Sequence, residues 1–433
     1  MYFALVNGFY LDGHADMQPQ SGKAIIIRDG IIESIIPESE VPRNCPHRDL
    51  DGSYVLPGLI NLHLHIPAGG KPSKKPKNYA ALAKLLKYKL ARTVVAAVCR
   101  KNVQQDLLSG TTTVRAVGGV PGFDIELRDR INAGKAVGPR ILTSDYAVSV
   151  PGGHMTGSVA LPAHSPEEAA AMVEAIAAQK PDLIKLMITG GVLDAAVPGE
   201  PGVLKMPPAY VKAACDKAHE FGLPVAAHVE STEGMLVALQ NGVDTLEHGG
   251  KPTPEVISLM KEKGAVLVAT LSPAIPFAAE PGEFIGVTET GHVNGLALYH
   301  NMLECIAACR KEGIPVGLGT DTGCPYVTHY DFWREIWYYS KLCGVSPAEA
   351  LHTATEVNAR ILGLDGEIGT LDAGKKAELI IVSDNPLEDP ETLQYPETVI
   401  FGDRFFPARI KRIRSVEKKL SGFMRKIEQE GLA

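Results

Sequence analysis

The stretch Val55–Ile66 reads VLPGLINLHLHI, a short apolar run that Pro57-Gly58 interrupts before it continues as a predicted strand. Side chains alternate between the two faces of a strand, so residues at i and i+2 point the same way. His63 and His65 can therefore present two imidazoles side by side, at a spacing that suits one metal ion. The alternative is one buried histidine and one hydrogen-bonded at the rim of a barrel, because a metal site needs further ligands elsewhere in the chain.

Length and composition are typical of a large globular enzyme. The chain has 433 residues, of which 45% are hydrophobic and 21% are charged. The formal net charge of −7 argues against nucleic-acid binding as the main role. Seven scattered cysteines without a CxxC pair favour free thiols in a reducing compartment. With no pattern of a secretory signal or a membrane helix, we expect a cytoplasmic protein without a membrane partner.

Short strands separated by turn residues occupy positions 1–56. Three dipeptides are typical of tight turns, and the first two predict β-hairpins: Asn7-Gly8, Asp29-Gly30 and Asp51-Gly52. Strand-like segments return at Asp372–Val382 and Val399–Phe406. We therefore predict a small antiparallel β-sandwich domain formed by both chain ends, from positions 1–56 and 366–408, with a second domain at 57–365 inserted into it.

From Leu59 onward, predicted strands alternate with helical segments, which is typical of parallel βα units. Eight strands are predicted: Leu59–His65, Thr112–Val117, Arg140–Tyr146, Leu183–Ile188, Val225–Glu230, Asp244–His248, Val266–Leu271 and Val316–Asp321. Helices are predicted between them: Asn78–Leu108, Pro166–Gln179, Pro207–Phe221, Thr232–Asn241, Pro254–Lys263 and His300–Glu312. This α/β pattern predicts a (β/α)8 TIM-type barrel. The alternative, an open doubly wound sheet, lacks the GxGxxG that would follow its first strand.

Two more helices are predicted beyond the barrel. One covers Pro347–Leu362 and the other covers 409–430 within a C-terminal segment, 409–433. The second helix has an apolar stripe, made of Ile413, Val416, Leu420, Phe423 and Ile427. We expect this stripe to pack on the protein itself, and the alternative is a subunit contact in a homo-oligomer. The basic residues around it are expected to form a solvated face.

Barrel enzymes hold their catalytic residues at the carboxyl ends of the strands. Six residues are candidate metal ligands there: His63, His65, Lys185, His228, His248 and Asp321. Imidazoles and a carboxylate suit Zn²⁺ or a similar divalent ion. Nearby cations lower the pKa of a lysine, and its neutral amine can react with carbon dioxide to give a carbamate that bridges two metals about 3.5–4 Å apart. If Lys185 only pairs with an acid, the site is mononuclear.

The order HxH, Lys, His, His, Asp at successive strand ends resembles the amidohydrolase superfamily. The resemblance spans nearly the whole chain, through PGLIxxHxH, LEHGG, GTDTG and PAEALHTATEVNARILGL…GTLDAGKKAELIIV. It looks closest to the binuclear imidazolonepropionase-like and prolidase-like branch, whose members cleave peptide and related amide bonds. It implies two divalent ions: one bound by His63, His65 and Asp321, and an outer one bound by His228 and His248, with carboxylated Lys185 bridging both.

These ligands imply a hydrolytic mechanism. Two metals lower the pKa of a bridging water, so that hydroxide exists near neutral pH and attacks a carbonyl polarised by one metal. Asp321 takes the proton and returns it to the departing nitrogen. The alternative for Asp321 is a carboxylate that caps a strand–helix turn. The predicted substrate is a small-molecule amide, such as a dipeptide, an N-acyl amino acid or a cyclic amide.

Three residues are predicted to contact the substrate. His154 follows PGG in the loop after the third strand, and in the resembling branch a GGH histidine contacts the substrate near its carbonyl or carboxylate. The alternative is a histidine on a surface loop. Glu230 shares a strand face with His228. Peptidase-like relatives commonly have a tyrosine there, so Glu230 argues against a free substrate carboxylate and favours a cationic or hydrogen-bond-donating group. Tyr326 lies in the loop after Asp321.

Other residues near the carboxyl ends of the barrel strands have two open interpretations each. Tyr326 and His329 either line the pocket or only pack within their loop. Four lysines follow the first strand and either attract anions or are merely solvated: Lys71, Lys74, Lys75 and Lys77.

Three functions are compatible with this site. The first is a binuclear amide hydrolase, the second a mononuclear deaminase on the same barrel, and the third a catalytically silent scaffold. The deaminase would carry a His-Glu arrangement near the fifth strand. Glu230 resembles it, but its spacing from the histidine fits poorly. The scaffold would be expected to have lost ligands, whereas all six positions are filled. Metal analysis separates the three, with about two, one or no divalent ions per chain expected.

Overall fold

The computed structural model describes residues 1–72 and 85–431, which form two compact units. The first unit combines Met1–Asn61, Val103–Val114 and Tyr330–Arg412. The second contains the remaining described residues, including most of the barrel.

The first unit contains a β-sandwich built from both parts of the chain. One sheet has the spatial order Ile31–Pro37, Lys23–Arg28, Tyr2–Val6 and His47–Asp49. The other has the order Arg404–Pro407, Thr398–Phe401, Glu378–Val382, Tyr54–Pro57 and Phe9–Tyr10. Leu5 and Ile27 from the first sheet share one buried core with Val55 and Leu379 from the second. The predicted β-sandwich domain is therefore confirmed.

One of the two predicted N-terminal hairpins is confirmed. Asp29 and Gly30 have φ angles of 50° and 77° and join two antiparallel strands, as a two-residue turn requires. The hairpin predicted at Asn7-Gly8 is wrong, since the strands before and after it lie in different sheets. Both edges of the strand Tyr2–Val6 are already paired with other strands, so no edge remains for the strand that follows the turn.

The sandwich is also not purely antiparallel, contrary to the prediction. Tyr2–Val6 pairs in parallel with His47–Asp49, and Phe9–Tyr10 pairs in parallel with Tyr54–Pro57. Parallel pairs need long connections, and the intervening chain supplies them.

Within the described residues, the barrel has all eight predicted strands, with shifted ends. They are Leu59–Leu64, Thr111–Ala116, Arg140–Thr143 continued by Ala147–Ser149, Ile184–Met187, Val225–Val229, Thr245–His248, Val266–Ala269 and Val316–Leu318. The third strand is broken because Asp145 has a left-handed φ of 59°. A short strand, Ala160–Pro162, pairs with its second half. The backbone N–H of His65 donates to the carbonyl of Thr322 (2.9 Å), which closes the barrel between its first and eighth strands.

The six predicted helices are present between these strands, together with four additional ones in the described chain. They are Lys89–Leu108, Phe123–Asn132, Pro166–Ala177, Pro208–Glu220, Thr232–Gln240, Pro254–Lys263, Ile275–Ala279, Gly282–Ile285, Glu289–Lys311 and Phe332–Leu342. The four additional ones are Phe123–Asn132, Ile275–Ala279, Gly282–Ile285 and Phe332–Leu342. Positions 78–84 of the first predicted helix lie outside the described residues. Side chains of Ser165, Ser231 and Thr253 each cap a helix start by accepting a backbone N–H.

The two helices predicted beyond the barrel are also present. The first consists of Pro347–His352, a π-helical turn at Thr353–Val357, and Asn358–Ile361. The last helix, Arg414–Glu430, begins five positions later than predicted. Its Val416, Leu420 and Phe423 are buried, and Phe423 contacts the ring of Tyr326, so the apolar stripe packs on the protein itself as expected. No helix in the described parts of the chain is long and apolar enough to cross a membrane.

Candidate metal centre

The candidate ligands are positioned by the carboxyl ends of five barrel strands. His63, Lys185 and His228 lie within strands, His248 ends the sixth strand, and Asp321 follows the eighth by three residues. His248 and Asp321 have left-handed φ angles of 71° and 55°, which non-glycine residues adopt only where the surroundings hold them there. Such conformations are typical of functional sites.

Three of these side chains converge as one possible set of ligands, which we call the inner group: His63, His65 and Asp321. One ligand atom from each lies within 4.8 Å of the others. The Nε2 atoms of His63 and His65 are 3.5 and 3.2 Å from Asp321 Oδ1. Two imidazoles and one carboxylate are a donor set that fits a divalent cation.

Hydrogen bonds on the far side of both imidazoles fix the orientation of the inner group. The Nδ1–H of His63 donates to Glu247 Oε2 (2.7 Å), and the other oxygen of Glu247 accepts from Arg115 (2.7 Å). The Nδ1–H of His65 donates to the carbonyl of Gly118 (2.8 Å). Both rings therefore direct Nε2 toward Asp321, the arrangement by which proteins orient metal-binding histidines.

The other three candidates form what we call the outer group: Lys185, His228 and His248. The rings of His228 and His248 are 4.7 Å apart, and that of His248 is 4.8 Å from His63 of the inner group. Nδ1 of His248 is hydrogen-bonded to Thr270 Oγ1 (2.7 Å), and Nε2 of His228 is 3.3 Å from the carbonyl of Gly190. Nε2 of His248 and Nδ1 of His228 are then the atoms that would bind a cation.

Lys185 has an unusual environment for a lysine. Its side chain is only 1% exposed, and within the described residues Nζ has no hydrogen-bond partner. Burial lowers the pKa of Lys185 to about 8, although Glu247 acts in the opposite direction. A buried amine with so low a pKa is compatible with a neutral form, which is the form that carbon dioxide would modify.

The charge states of the ligands suit cation binding. Burial lowers the pKa of His63 to about 4, so its ring is neutral at pH 7. Burial also lowers the pKa values of His228 and His248 well below their ordinary range. Although burial opposes it, the hydrogen bond with His65 holds the pKa of Asp321 well below that of an ordinary aspartate. Neutral imidazoles and an ionised carboxylate are the protonation states in which these groups bind metals.

His154 lies directly against the outer group. Its ring stacks on that of His228 with 4.1 Å between centroids, and its Nδ1–H donates to Asp194 Oδ2 (2.5 Å). The backbone N–H of Gly191 also donates to this oxygen (3.0 Å). The loop histidine predicted from the PGGH motif is therefore next to the candidate ligands.

Glu230 also lies beside His228. Its Oε1 is 3.8 Å from His228 Nε2, and its side chain is 9% exposed. Burial, followed by the charges of Asp321 and Asp194, raises the pKa of Glu230 well above its ordinary value. The structure thus brings Glu230 to the centre, as the strand alternation predicts.

The described contacts do not connect the remaining candidates to the ligands. Tyr326 packs against Phe423, and Nε2 of His329 is 2.9 Å from the carbonyl of Ala68. Lys71 is exposed, and Lys74, Lys75 and Lys77 lie outside the described residues. A substrate-binding role for Tyr326 stays a prediction.

Sequence reasoning missed the residues that hold the ligands in place: Arg115, Asp194, Glu247 and Thr270. A detectable signal existed for Arg115, because an arginine inside an apolar strand needs a buried partner. Glu247 gave a similar signal in the LEHGG motif. No local pattern marks Asp194, whose contact with His154 joins loops 40 positions apart.

Comparisons with known proteins agree with this site. Residues 54–404 match the amidohydrolase family, and residues 1–55 match the NagA composite domain. The structure of a putative prolidase from Bifidobacterium longum is similar over 98% of this chain and 99% of that chain, with 33% identity and a TM-score of 0.85. A Xaa-Pro dipeptidase with bound methionine in its active site is 28% identical over 94% of this chain and 100% of that chain, with a TM-score of 0.82.

A curated relative from a fungus is also similar. Ochratoxinase from Aspergillus niger is 28% identical over 414 residues, which cover 89% of this chain and 82% of the fungal protein. The family match spans well over half of the chain, and the relatives agree with a hydrolase that acts on carbon–nitrogen bonds. This chain belongs to the amidohydrolase family.

Proposed function

We propose that this protein hydrolyses the amide bond of a small molecule with two divalent cations, for which zinc is the first candidate. The inner group would hold one cation, and His228 with His248 would hold the other. A carbamate on Lys185 would bridge them. The observation that carries this proposal is the buried Nζ of Lys185, which has no partner in the described chain and lies among the candidate cation ligands.

The cations would supply Lewis-acid chemistry, since bound divalent ions polarise carbonyls and lower the pKa of water. The protein's own part begins with Asp321. Its side chain is 14% exposed, its Oδ1 faces the two inner imidazoles, and its Oδ2 accepts from the thiol of Cys324 (3.2 Å). A carboxylate held at this position would take the proton from the attacking water and return it to the departing nitrogen.

The substrate would lie over the outer group, between His154 and Glu230. Asp194 holds the His154 ring by Nδ1, so that Nε2 is the nitrogen that would meet the substrate. Relatives described as prolidases and as an ochratoxinase support a small amide as the substrate class. Dipeptides, N-acyl amino acids and cyclic amides are the compounds to test, and Tyr326 is proposed as a further contact.

An activity screen of the metal-loaded protein tests this proposal. The screen would follow amide cleavage of the three compound classes and, in parallel, ammonia release from aromatic bases, with metal content measured by mass spectrometry. We expect about two divalent ions per chain and cleavage of at least one amide class. Ammonia release with one ion per chain would instead identify a mononuclear deaminase, and no bound ion with no turnover would leave only a scaffold.

A pair of control variants shows whether the measured activity comes from this protein or from contaminating hydrolases. Asp321→Asn, purified in the same way, should lose the activity that wild type shows. Asp216→Asn, a change at an exposed helix position, should keep it.

A further inference from the structure

Glu230 presents a buried acceptor without a partner, beside the outer group. Its Oε2 is shielded from solvent and, within the described residues, has no hydrogen-bond partner. The other oxygen is 3.8 Å from Nε2 of His228. Burying a polar atom without a hydrogen-bond partner costs free energy, so this oxygen requires an explanation, and a bound ligand would supply one.

The surrounding chain keeps Glu230 in this orientation. Its backbone N–H donates to Thr189 Oγ1 (3.1 Å). Gly202, at φ 72°, lies so close to the backbone of Glu230 that a side chain there would clash. The backbone of Glu230 is therefore fixed, and its side chain is buried rather than turned toward solvent.

The charges around Glu230 indicate what it would bind. Two carboxylates near Glu230 are those of Asp321 and Asp194, and Asp194 is already engaged with His154. Asp321 belongs to the inner group. This leaves the unpartnered oxygen of Glu230 as the acceptor that an incoming donor would meet.

We propose that Glu230 selects amides that carry an amino group on the acyl side, next to the scissile carbonyl, and that the substrate's N–H groups donate to its buried oxygen. This inference rests on the proposed function, because it assigns the acyl part of the substrate to the outer group. The substrate class would then be aminoacyl compounds with a free α-amino group. N-acylated amino acids would be poor substrates.

The first test uses matched substrates. The amide cleaved fastest in the screen is prepared with a free α-amino group, with that group acetylated, and with it replaced by hydrogen. We expect kcat/KM for the free amine to exceed the other two by about 100-fold or more, because a site built to hold a donor rejects analogues that lack it. In Glu230→Gln this preference should fall below about 10-fold, while Glu233→Gln, at an exposed position three residues on, should keep it.

The second test measures binding without turnover. L-Methionine and its des-amino analogue, 4-(methylsulfanyl)butanoate, are titrated into the metal-loaded protein by calorimetry. Wild type should bind methionine at least 10-fold more tightly than the analogue. Glu230→Gln should bind the two alike, and Glu230→Asp should keep part of the difference because it retains a carboxyl acceptor. Circular dichroism and metal content should match wild type in both variants.

Three results would overturn the inference. One is equal binding of the two probes by wild type, or no binding of methionine. Another is a screen whose fastest amides have no amino group on the acyl side. The third is loss of a metal ion in Glu230→Gln, which would make Glu230 a ligand. A screen without any amide cleavage would instead reject the proposed function, and the calorimetry would still decide what Glu230 recognises.

Discussion

The inner and outer groups of the candidate metal centre differ in how completely hydrogen bonds satisfy their side chains. In the inner group, His63 is held by Glu247 and His65 by Gly118, and both Nε2 atoms face Asp321. The outer group has weaker support, since the contact of His228 with the carbonyl of Gly190 is 3.3 Å long. Lys185 Nζ in this group has no partner in the described chain, and neither has Oε2 of the adjacent Glu230.

This difference indicates a division of labour. Side chains that are already hydrogen-bonded can hold a cation without rearrangement, because their orientation is fixed in advance. Buried polar atoms that lack partners are stabilised only when something binds to them. We therefore expect the inner group to contribute fixed geometry, and the outer group to respond to carbon dioxide, a second cation and the substrate.

The largest effect is expected for Asp321→Asn, which tests whether the inner group supplies a base as well as ligands. An amide oxygen can still bind a cation but cannot take a proton from water. Turnover should fall by about 10²–10⁴-fold, with most of the metal retained. Steady-state rates and metal content per chain would be measured together. Near-normal rates in this variant would mean that another group transfers the proton.

The next largest effect is expected for His228→Ala, which should separate the two groups. This variant should keep one ion per chain after dialysis, because the inner group is intact. His65→Ala, which removes an inner ligand, should lose the more tightly held ion. His300→Ala, an exposed position, serves as the control for both. If His228→Ala kept two ions or lost both, the division into two groups would be wrong.

A smaller effect is expected from the residues that orient the ligands. Glu247→Gln should weaken binding of the inner ion by about 10–100-fold, the usual cost of losing a carboxylate behind a metal-binding histidine. Thr270→Val, which removes the hydroxyl behind His248, should weaken the outer ion less. Competition with a chelator measures both affinities. A larger effect for Thr270→Val would reverse the comparison between the groups.

Sequence patterns predicted the fold where local periodicity and tertiary structure agree. The eight barrel strands were found because buried parallel strands are short apolar runs with glycine after the preceding helix. The helix predicted to begin at His300 in fact begins at Glu289. The prediction missed its first part because Gly291 and Gly295 weaken the apolar pattern there. Gly295 is required by packing, since a Cβ at this position would clash with the ring of Phe277. Such a requirement cannot be seen in one sequence.

The candidate site could be predicted only in part, from the local periodicity of its strands. Alternation along strands placed His63, His228 and Glu230 toward the centre, as the structure shows. The support from Arg115, Asp194 and Thr270 depends on which strands and loops become neighbours. That information is absent from local spacing. The sequence therefore predicts the candidate ligands better than it predicts the side chains that orient them.

The smallest effect concerns two buried carboxyl groups beneath the loop that supports the inner group. Gly118, which accepts from His65, is followed by Gly119, where a Cβ would clash with the carboxyl of Asp124. Neither oxygen of Asp124 has a hydrogen-bond partner within the described residues. Burial, and then the charge of Asp145, raises the pKa of Asp124 well above its ordinary value, and burial raises the pKa of Asp145 to about 6. Both groups therefore keep their protons to a higher pH in the folded protein than in the unfolded chain.

Because these pKa values are raised, the folded state binds more protons than the unfolded state, and this contribution to stability is lost as the pH rises from about 4 through 6. The side chain introduced by Asp124→Asn cannot ionise. Between pH 5 and pH 8, the unfolding temperature of wild type should therefore fall by about 2–4 °C more than that of this variant. Asp129→Asn, an exposed change on the same helix, should follow wild type. Metal content and kcat should stay unchanged, since the carbonyl of Gly118 still accepts from His65. A variant that instead lost the inner ion would show that the loop orients His65 only when Asp124 is a carboxyl group, and the inner group would then be less independent than its hydrogen bonds indicate.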